Sequence, residues 1–164
     1  MVRRMAGYAG HLRLGFLVYI VIMTVYFLVY QQPTPVTCFE WLLCTLMGSL
    51  FPDIDIKSKG QKYFYLIVLC GLVLLFVQEK LETLAWCSII SLAPILVRHR
   101  GLFHQVWFVI IMPLSIWILL SCFAPVYKNA LLYDILFFIG GALSHLWLDL
   151  GIRKLSKQLY DTIQ

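Results

Sequence analysis

Long apolar runs separated by short polar breaks dominate the chain. The runs fall at 14–30, 36–51, 63–77, 83–97, 102–126 and 131–152, and the breaks between them carry proline, glycine and charged residues. Hydrocarbon offers the backbone no hydrogen-bond partner, so segments this apolar are expected to pair their own backbone groups as helices. The pattern predicts an all-α integral membrane protein with about six transmembrane helices. No linker or internal repeat interrupts it, which predicts one polytopic membrane domain over 1–164.

The two central runs are shorter than the others. The runs at 63–77 and 83–97 hold about 15 residues each, and at about 1.5 Å per residue they fall short of a hydrocarbon core roughly 30 Å thick. The alternative is therefore four spanning helices plus a short hairpin that does not cross. In either case the pair starts and ends on the same side of the membrane.

Composition agrees with a lipid-solvated protein. Hydrophobic residues make up 62% of the chain and charged residues 13%, whereas a soluble domain has about a quarter charged residues. The five cysteines are scattered through the apolar runs without any Cys-x-x-Cys pair, which is typical of small buried apolar side chains.

The basic residues predict the orientation. With the amino terminus inside, only Lys80 and Lys128 of the 13 Lys and Arg residues fall in outer loops. Lys and Arg are retained on the cytoplasmic side, so both termini are predicted to be cytoplasmic. The same residues lie in short loops without a basic stripe or an aromatic stacking platform, which argues against a nucleic-acid partner.

This orientation gathers the chemistry-bearing side chains at one membrane face. All four histidines of the chain lie there together with three aspartates: His11, Asp53, Asp55, His99, His104, His145 and Asp149. His145 and Asp149 are spaced i,i+4 and share one helical face. An ionisable pair inside a membrane helix is costly unless it is partnered or faces a wet cavity.

Taken singly, each motif has an ordinary structural explanation. A His–Asp pair can simply tie helices together, and Asp53-Ile54-Asp55 can be a solvated loop. Together, the seven side chains supply enough nitrogen and oxygen ligands for one or two divalent ions. A set without sulfur points to zinc, manganese or iron, and structural zinc usually recruits cysteine. The set therefore predicts a catalytic site holding one or two ions of zinc or manganese.

Four motifs in order resemble one known family. They are His11, a Gly-x-x-x-Pro-Asp-x-Asp-x-x-Ser block from Gly48 to Ser58, a His-Arg-Gly-x-x-His block from His99 to His104, and a Gly-x-x-x-His-x-x-x-Asp block from Gly141 to Asp149. The set is similar to the membrane-bound metal-dependent hydrolases of the YdjM type, from bacteria and archaea. The chain departs from that family at Phe103, Gln105 and Ile56, where the family often has Thr, Ser and His.

The resemblance implies a metal-dependent hydrolase in a prokaryotic inner membrane. We expect an amphipathic substrate that carries a phosphoester on a lipid or lipid-linked group, although lipid amide hydrolysis suits the same ligands. Asp55 is predicted to be a ligand or the general base, and the substrate-binding candidates are Ser58, Arg98 and Arg100. The alternative is a non-catalytic metal-binding scaffold or a transporter, but a transporter should place its ligands near the bilayer midplane.

Overall fold

The computed structural model describes residues 7–30, 32–54, 59–77, 79, 81, 85, 88, 89, 91, 102–123 and 125–151. Within these residues the chain is helical and contains no strand, so the all-α prediction is confirmed. The described part of the chain forms five long helices, which are α1 (Tyr8–Val29), α2 (Pro35–Leu50), α3 (Lys59–Val77), α4 (Val106–Phe123) and α5 (Lys128–Leu150). Short 3-10 helices at Phe51–Asp53 and Pro125–Tyr127 follow α2 and precede α5.

Four segments of the described residues are long and apolar enough to cross a membrane. They are Tyr8–Val29, Pro35–Asp53, Val106–Phe123 and Pro125–Leu150. Their apolar side chains, such as Leu17, Val21 and Leu28 on α1, are exposed on the outside of the bundle, as expected for helices whose solvent is lipid. The chain is therefore a membrane protein, but the prediction of about six spans is not confirmed.

The two central apolar runs are the ones whose crossing of the membrane is not confirmed. The run at 63–77 lies within α3, so its helical structure is confirmed, while its crossing of the membrane stays a prediction. The run at 83–97 lies almost entirely outside the described residues. Four helices qualify among the described residues, which is also the number of spans in the four-span alternative.

Helix α5 lies at the centre of the bundle and packs against α1, α2 and α4, most extensively against α2. The close approach of α2 and α5 depends on glycine at two positions. A Cβ atom at Gly48 would overlap the backbone carbonyl of Phe138, and one at Gly141 would overlap the carbonyl oxygen of Thr45. Small residues that let two backbones approach are a common device for packing membrane helices.

Helix α2 has well-defined ends. Thr34 caps its first turn, because the Thr34 hydroxyl accepts a hydrogen bond from the Thr37 backbone N–H at 3.2 Å. At the other end the chain tightens into the 3-10 helix that contains Pro52, a residue with no N–H to continue the α-helical pattern. Asp53 therefore comes at the point where the chain leaves the helix.

The two ends of the bundle differ in chemistry. We call the end at which Asp53, His104 and Asp149 lie close together the site end. At the opposite end Met23, Trp41 and Phe137 form a buried cluster, in which Trp41 and Phe137 stack with ring centroids 4.8 Å apart. Since α2 ends and α4 begins at the site end, the chain between Asp53 and His104 leaves this face and returns to it.

Candidate metal centre

His145 is the most deeply buried member of the site. Its side chain has no exposed surface, and its Nδ1 lies 2.8 Å from the backbone carbonyl oxygen of Ser49 on α2. A carbonyl oxygen can only accept, so Nδ1 carries the proton and donates it in this bond. In the neutral imidazole, Nε2 is therefore left with a free lone pair, and that lone pair is available to a metal ion.

Asp149 and Asp53 approach this lone pair from two sides. His145 Nε2 lies 3.2 Å from Asp149 Oδ2 and 3.6 Å from Asp53 Oδ1. Asp149 comes one helical turn after His145 on α5, so the i,i+4 spacing places both side chains on the same face. Asp53 reaches the same point from the 3-10 helix after α2.

His104 closes the group from the turn that precedes α4. Its Nε2 lies 3.7 Å from Asp53 Oδ1 and 3.8 Å from Asp149 Oδ2, and its ring stands edge-on to the ring of His145 with centroids 5.6 Å apart. One donor atom from each of Asp53, His104, His145 and Asp149 lies within 4.8 Å of all the others. The donor atoms of this group thus come from residues at the ends of three different helices, α2, α4 and α5.

The distances between the histidine and aspartate atoms of this group are close to those around a tetrahedral metal ion. Bonds of about 2.0–2.2 Å from zinc to nitrogen or oxygen place neighbouring ligand atoms about 3.3–3.6 Å apart. The His–Asp separations in this group run from 3.2 to 3.8 Å. The remaining donor pairs lie within 4.8 Å, so two imidazoles and two carboxylates can hold such an ion once the donors draw closer together, and no cysteine among the described residues belongs to the group.

The hydrogen bonding of the buried atoms supports a cation in this position. His145 Nε2 and Asp149 Oδ1 are buried, and neither makes a hydrogen bond within the described residues. Although Asp149 Oδ2 lies 3.2 Å from His145 Nε2, both atoms are acceptors when Nδ1 carries the proton. Two facing acceptors are unfavourable unless a cation, either a metal ion or a proton on Nε2, lies between them.

His11 lies on the other side of His145. It is 1% exposed, and its ring stacks on that of His145 with centroids 3.7 Å apart and an interplanar angle of 11°. Its Nε2 lies 3.5 Å from Asp149 Oδ1, the carboxylate oxygen that does not face His104 and His145. Gly15, one turn further along α1, lets this helix approach Ser49 closely enough to bring His11 into the site.

The structure thus brings together five of the residues that the sequence singles out: His11, Asp53, His104, His145 and Asp149. The other candidates lie outside the described residues: Asp55, Ser58, Arg98, His99 and Arg100. The sequence does not predict the carbonyl of Ser49 as the partner of His145. The only sequence signal for it is that Ser49 directly follows Gly48, the residue at which α2 and α5 meet.

The fold and this group of donors define a helical membrane protein with a His/Asp group that can hold a metal ion. The chain belongs to the family described as YdjM inner membrane protein, whose model matches residues 5–154. Comparison with curated proteins and comparison with solved structures each found no match. The family predicted from the four ordered motifs is confirmed.

Proposed function

We propose that this protein is a metal-dependent hydrolase that cleaves a phosphoester in a lipid or lipid-linked substrate. The observation that carries the proposal is the group of imidazole and carboxylate donors at the site end of apolar, membrane-spanning helices. A site at this position can meet a headgroup while the substrate's tail stays in the bilayer. Following the basic residues of the sequence, we place the site on the cytoplasmic face of a prokaryotic inner membrane.

The ion would be held by four side chains, those of Asp53, His104, His145 and Asp149. A bound zinc or manganese ion would supply Lewis-acid polarisation of the phosphoryl group and activation of water. The carbonyl of Ser49 keeps His145 in the tautomer that presents Nε2 to this position, a role that groups outside the ligand set commonly perform in metal sites. Two carboxylates in the set balance the charge of a divalent ion, which lowers the cost of burying it.

Asp55 is the candidate general base because it follows Asp53 by two residues. In the proposed reaction Asp55 takes a proton from water while the water oxygen bonds to phosphorus. The bond between phosphorus and the leaving oxygen breaks, and the leaving oxygen takes the proton from Asp55, which returns to its carboxylate form. Ser58, Arg98 and Arg100, which are hydrogen-bond donors, would hold the phosphate oxygens.

A groove beside the site suits the tail of such a substrate. It is open toward the outside of the bundle and lies between α1 and α2, where it is lined by Leu12, Arg13, Phe16, Leu17 and Leu46. Leu12 and Arg13 directly follow His11, so the groove starts at the level of the site. An alkyl chain would lie against the apolar side chains, while the guanidinium of Arg13 attracts an anionic headgroup.

The test is a panel of headgroup-labelled phospholipids and polyprenyl phosphates in proteoliposomes, with a chelator and with added zinc or manganese. We expect hydrolysis that the chelator suppresses and the metal restores, and little hydrolysis of water-soluble phosphoesters, which lack the binding energy of a tail. Leu17→Trp should fill the groove and raise KM for long-chain substrates several-fold at unchanged metal content. Leu28→Trp, on the same helix but outside the groove, is the matched control.

Non-catalytic metal binding is the second candidate, because a buried ion that joins three helix ends would also stabilise the bundle. The same panel separates the two. If wild-type protein with bound metal and the His145→Ala variant are equally inactive toward every substrate, the scaffold account replaces the hydrolase account.

A further inference from the structure

The rings of His11 and His145 are stacked, and the metal site formed by Asp53, His104, His145 and Asp149 does not depend on this stacking. The two rings are nearly parallel, with an interplanar angle of 11° and centroids 3.7 Å apart. Both rings direct Nε2 toward the carboxylate of Asp149, His11 at 3.5 Å from Oδ1 and His145 at 3.2 Å from Oδ2. Each oxygen of this carboxylate therefore faces a different imidazole.

A metal ion bound to an imidazole lies in the plane of the ring, about 2.0–2.1 Å from the nitrogen. Ions bound by two parallel rings whose nitrogens point the same way are consequently separated by about the distance between the rings. The ring separation here is 3.7 Å, and the ions of two-metal hydrolytic sites lie about 3.5–4 Å apart. The stacking thus sets the spacing that a pair of ions requires.

We infer that His11 and Asp149 hold a second divalent ion, and that Asp149 bridges it to the ion bound by Asp53, His104 and His145. Asp149 Oδ1 is buried and accepts no hydrogen bond within the described residues, so it has a free lone pair for this role. His11 is as deeply buried as His145, and both are close to the same carboxylate. Water or substrate oxygens would complete the coordination of the second ion.

This inference rests on the metal-binding part of the proposed function and extends it to a specific arrangement. A two-ion site stabilises both the attacking and the leaving oxygen of an in-line displacement, as phosphoester hydrolysis requires. The bridging position also distinguishes Asp149 from Asp53, since loss of Asp149 should weaken both ions while loss of Asp53 should weaken one.

The experiment loads the full-length protein in detergent micelles with manganese(II) or zinc(II), removes unbound metal, and measures ions per chain by elemental analysis. Electron paramagnetic resonance of the manganese form reports whether two ions are magnetically coupled. We expect two ions per chain in the wild type with a coupled spectrum. His11→Phe keeps a stacking ring but removes the donor, and should give one ion with an uncoupled spectrum.

Tyr19→Phe is the matched control. Tyr19 lies on the same helix as His11, and its hydroxyl donates a hydrogen bond to the carbonyl of Cys38, which is not part of the site. This variant should keep both ions. One ion per chain in the saturated wild type, or two coupled ions in His11→Phe, would overturn the inference. If His11→Phe does not fold, the wild-type ion count and spectrum decide the question alone.

The two proposals fail separately. If the wild type binds one ion and still cleaves lipids, the second ion is ruled out and the proposed hydrolase function stands. If the wild type binds two coupled ions and shows no activity, the two-ion site stands and the proposed hydrolase function is ruled out.

Discussion

His145 shows how a single backbone contact can define the chemistry of a side chain. The Ser49 carbonyl accepts the proton of Nδ1, so the ring presents Nε2 as an acceptor to two carboxylates. Without a cation this arrangement places acceptors against each other in a buried position. The contact of Nδ1 with this carbonyl is therefore what makes Nε2 of His145 available as a ligand.

Asp53 offers the clearest single-residue prediction. Asp53→Asn should weaken zinc binding at least about 10–100-fold, because removal of a ligand costs at least as much as removal of a group that only orients one. Asp134→Asn is the matched control, since Asp134 lies near the start of α5, eleven residues and about 16 Å of helix from His145. Competition titration of purified protein with a zinc indicator measures both affinities. Equal affinities in the two variants would remove Asp53 from the site.

Among the contacts between helices, the one between α2 and α5 matters most for the site. This contact holds Asp53, at the end of one helix, against His145 and Asp149 in the last turns of the other. Gly48 and Gly141 make it possible, and the hydroxyls of Thr45 and Ser144 bond carbonyls within their own helices, which leaves the interface free of unpaired hydroxyls. A change in the distance between the two helices should therefore alter both stability and metal binding.

Gly141→Ala tests this coupling. The new Cβ would overlap the carbonyl oxygen of Thr45 and lie 2.9 Å from the backbone nitrogen of Ser49, so the helices must separate. Overpacking of this kind costs about 1–3 kcal/mol, and it displaces the carbonyl that orients His145. We expect a lower thermal midpoint in detergent together with weaker zinc binding.

Gly71→Ala on α3 is the control, because no atom of the described residues lies within 4 Å of the added Cβ. Alanine is the better helix former, so this variant should melt at the wild-type temperature or slightly above it. A Gly141→Ala protein that matches Gly71→Ala in both measurements would contradict the packing account.

At the scale of the whole molecule, much of the site could be predicted from the sequence. The i,i+4 spacing of His145 and Asp149 fixes their common face by helix geometry alone, and the helix-ending Pro52 places Asp53 where α2 stops. The sidedness of the loops then brings His11 and His104 to the same end. These features depend only on local periodicity and on counting membrane crossings.

Features that depend on tertiary packing could not be predicted. The bond from His145 to the Ser49 carbonyl and the stacking of His11 on His145 arise from how closely α1, α2 and α5 approach one another. A backbone carbonyl has no signature in the sequence. The prediction of about six spans is not confirmed, because the two short central runs are apolar enough to suggest helices but too short to establish a crossing.

Orientation is the whole-molecule prediction. With both termini cytoplasmic, a cysteine introduced at Lys128 should be labelled from outside intact cells, and one at Lys59 only after permeabilisation. The background for both must lack the five native cysteines. The physical reason is the retention of Lys and Arg on the cytoplasmic side. Labelling of position 128 only from the inside would reverse the predicted topology and move the site to the other face.

The central claim is that the His/Asp group binds a metal ion, and X-ray absorption spectroscopy of the zinc-loaded protein tests it most directly. We expect a first shell of nitrogen and oxygen at about 2.0–2.2 Å, with the outer-shell scattering of imidazole and no sulfur at about 2.3 Å. Five cysteines in the chain make this a sharp distinction. A sulfur shell, or a protein that retains no zinc after loading, would contradict the account.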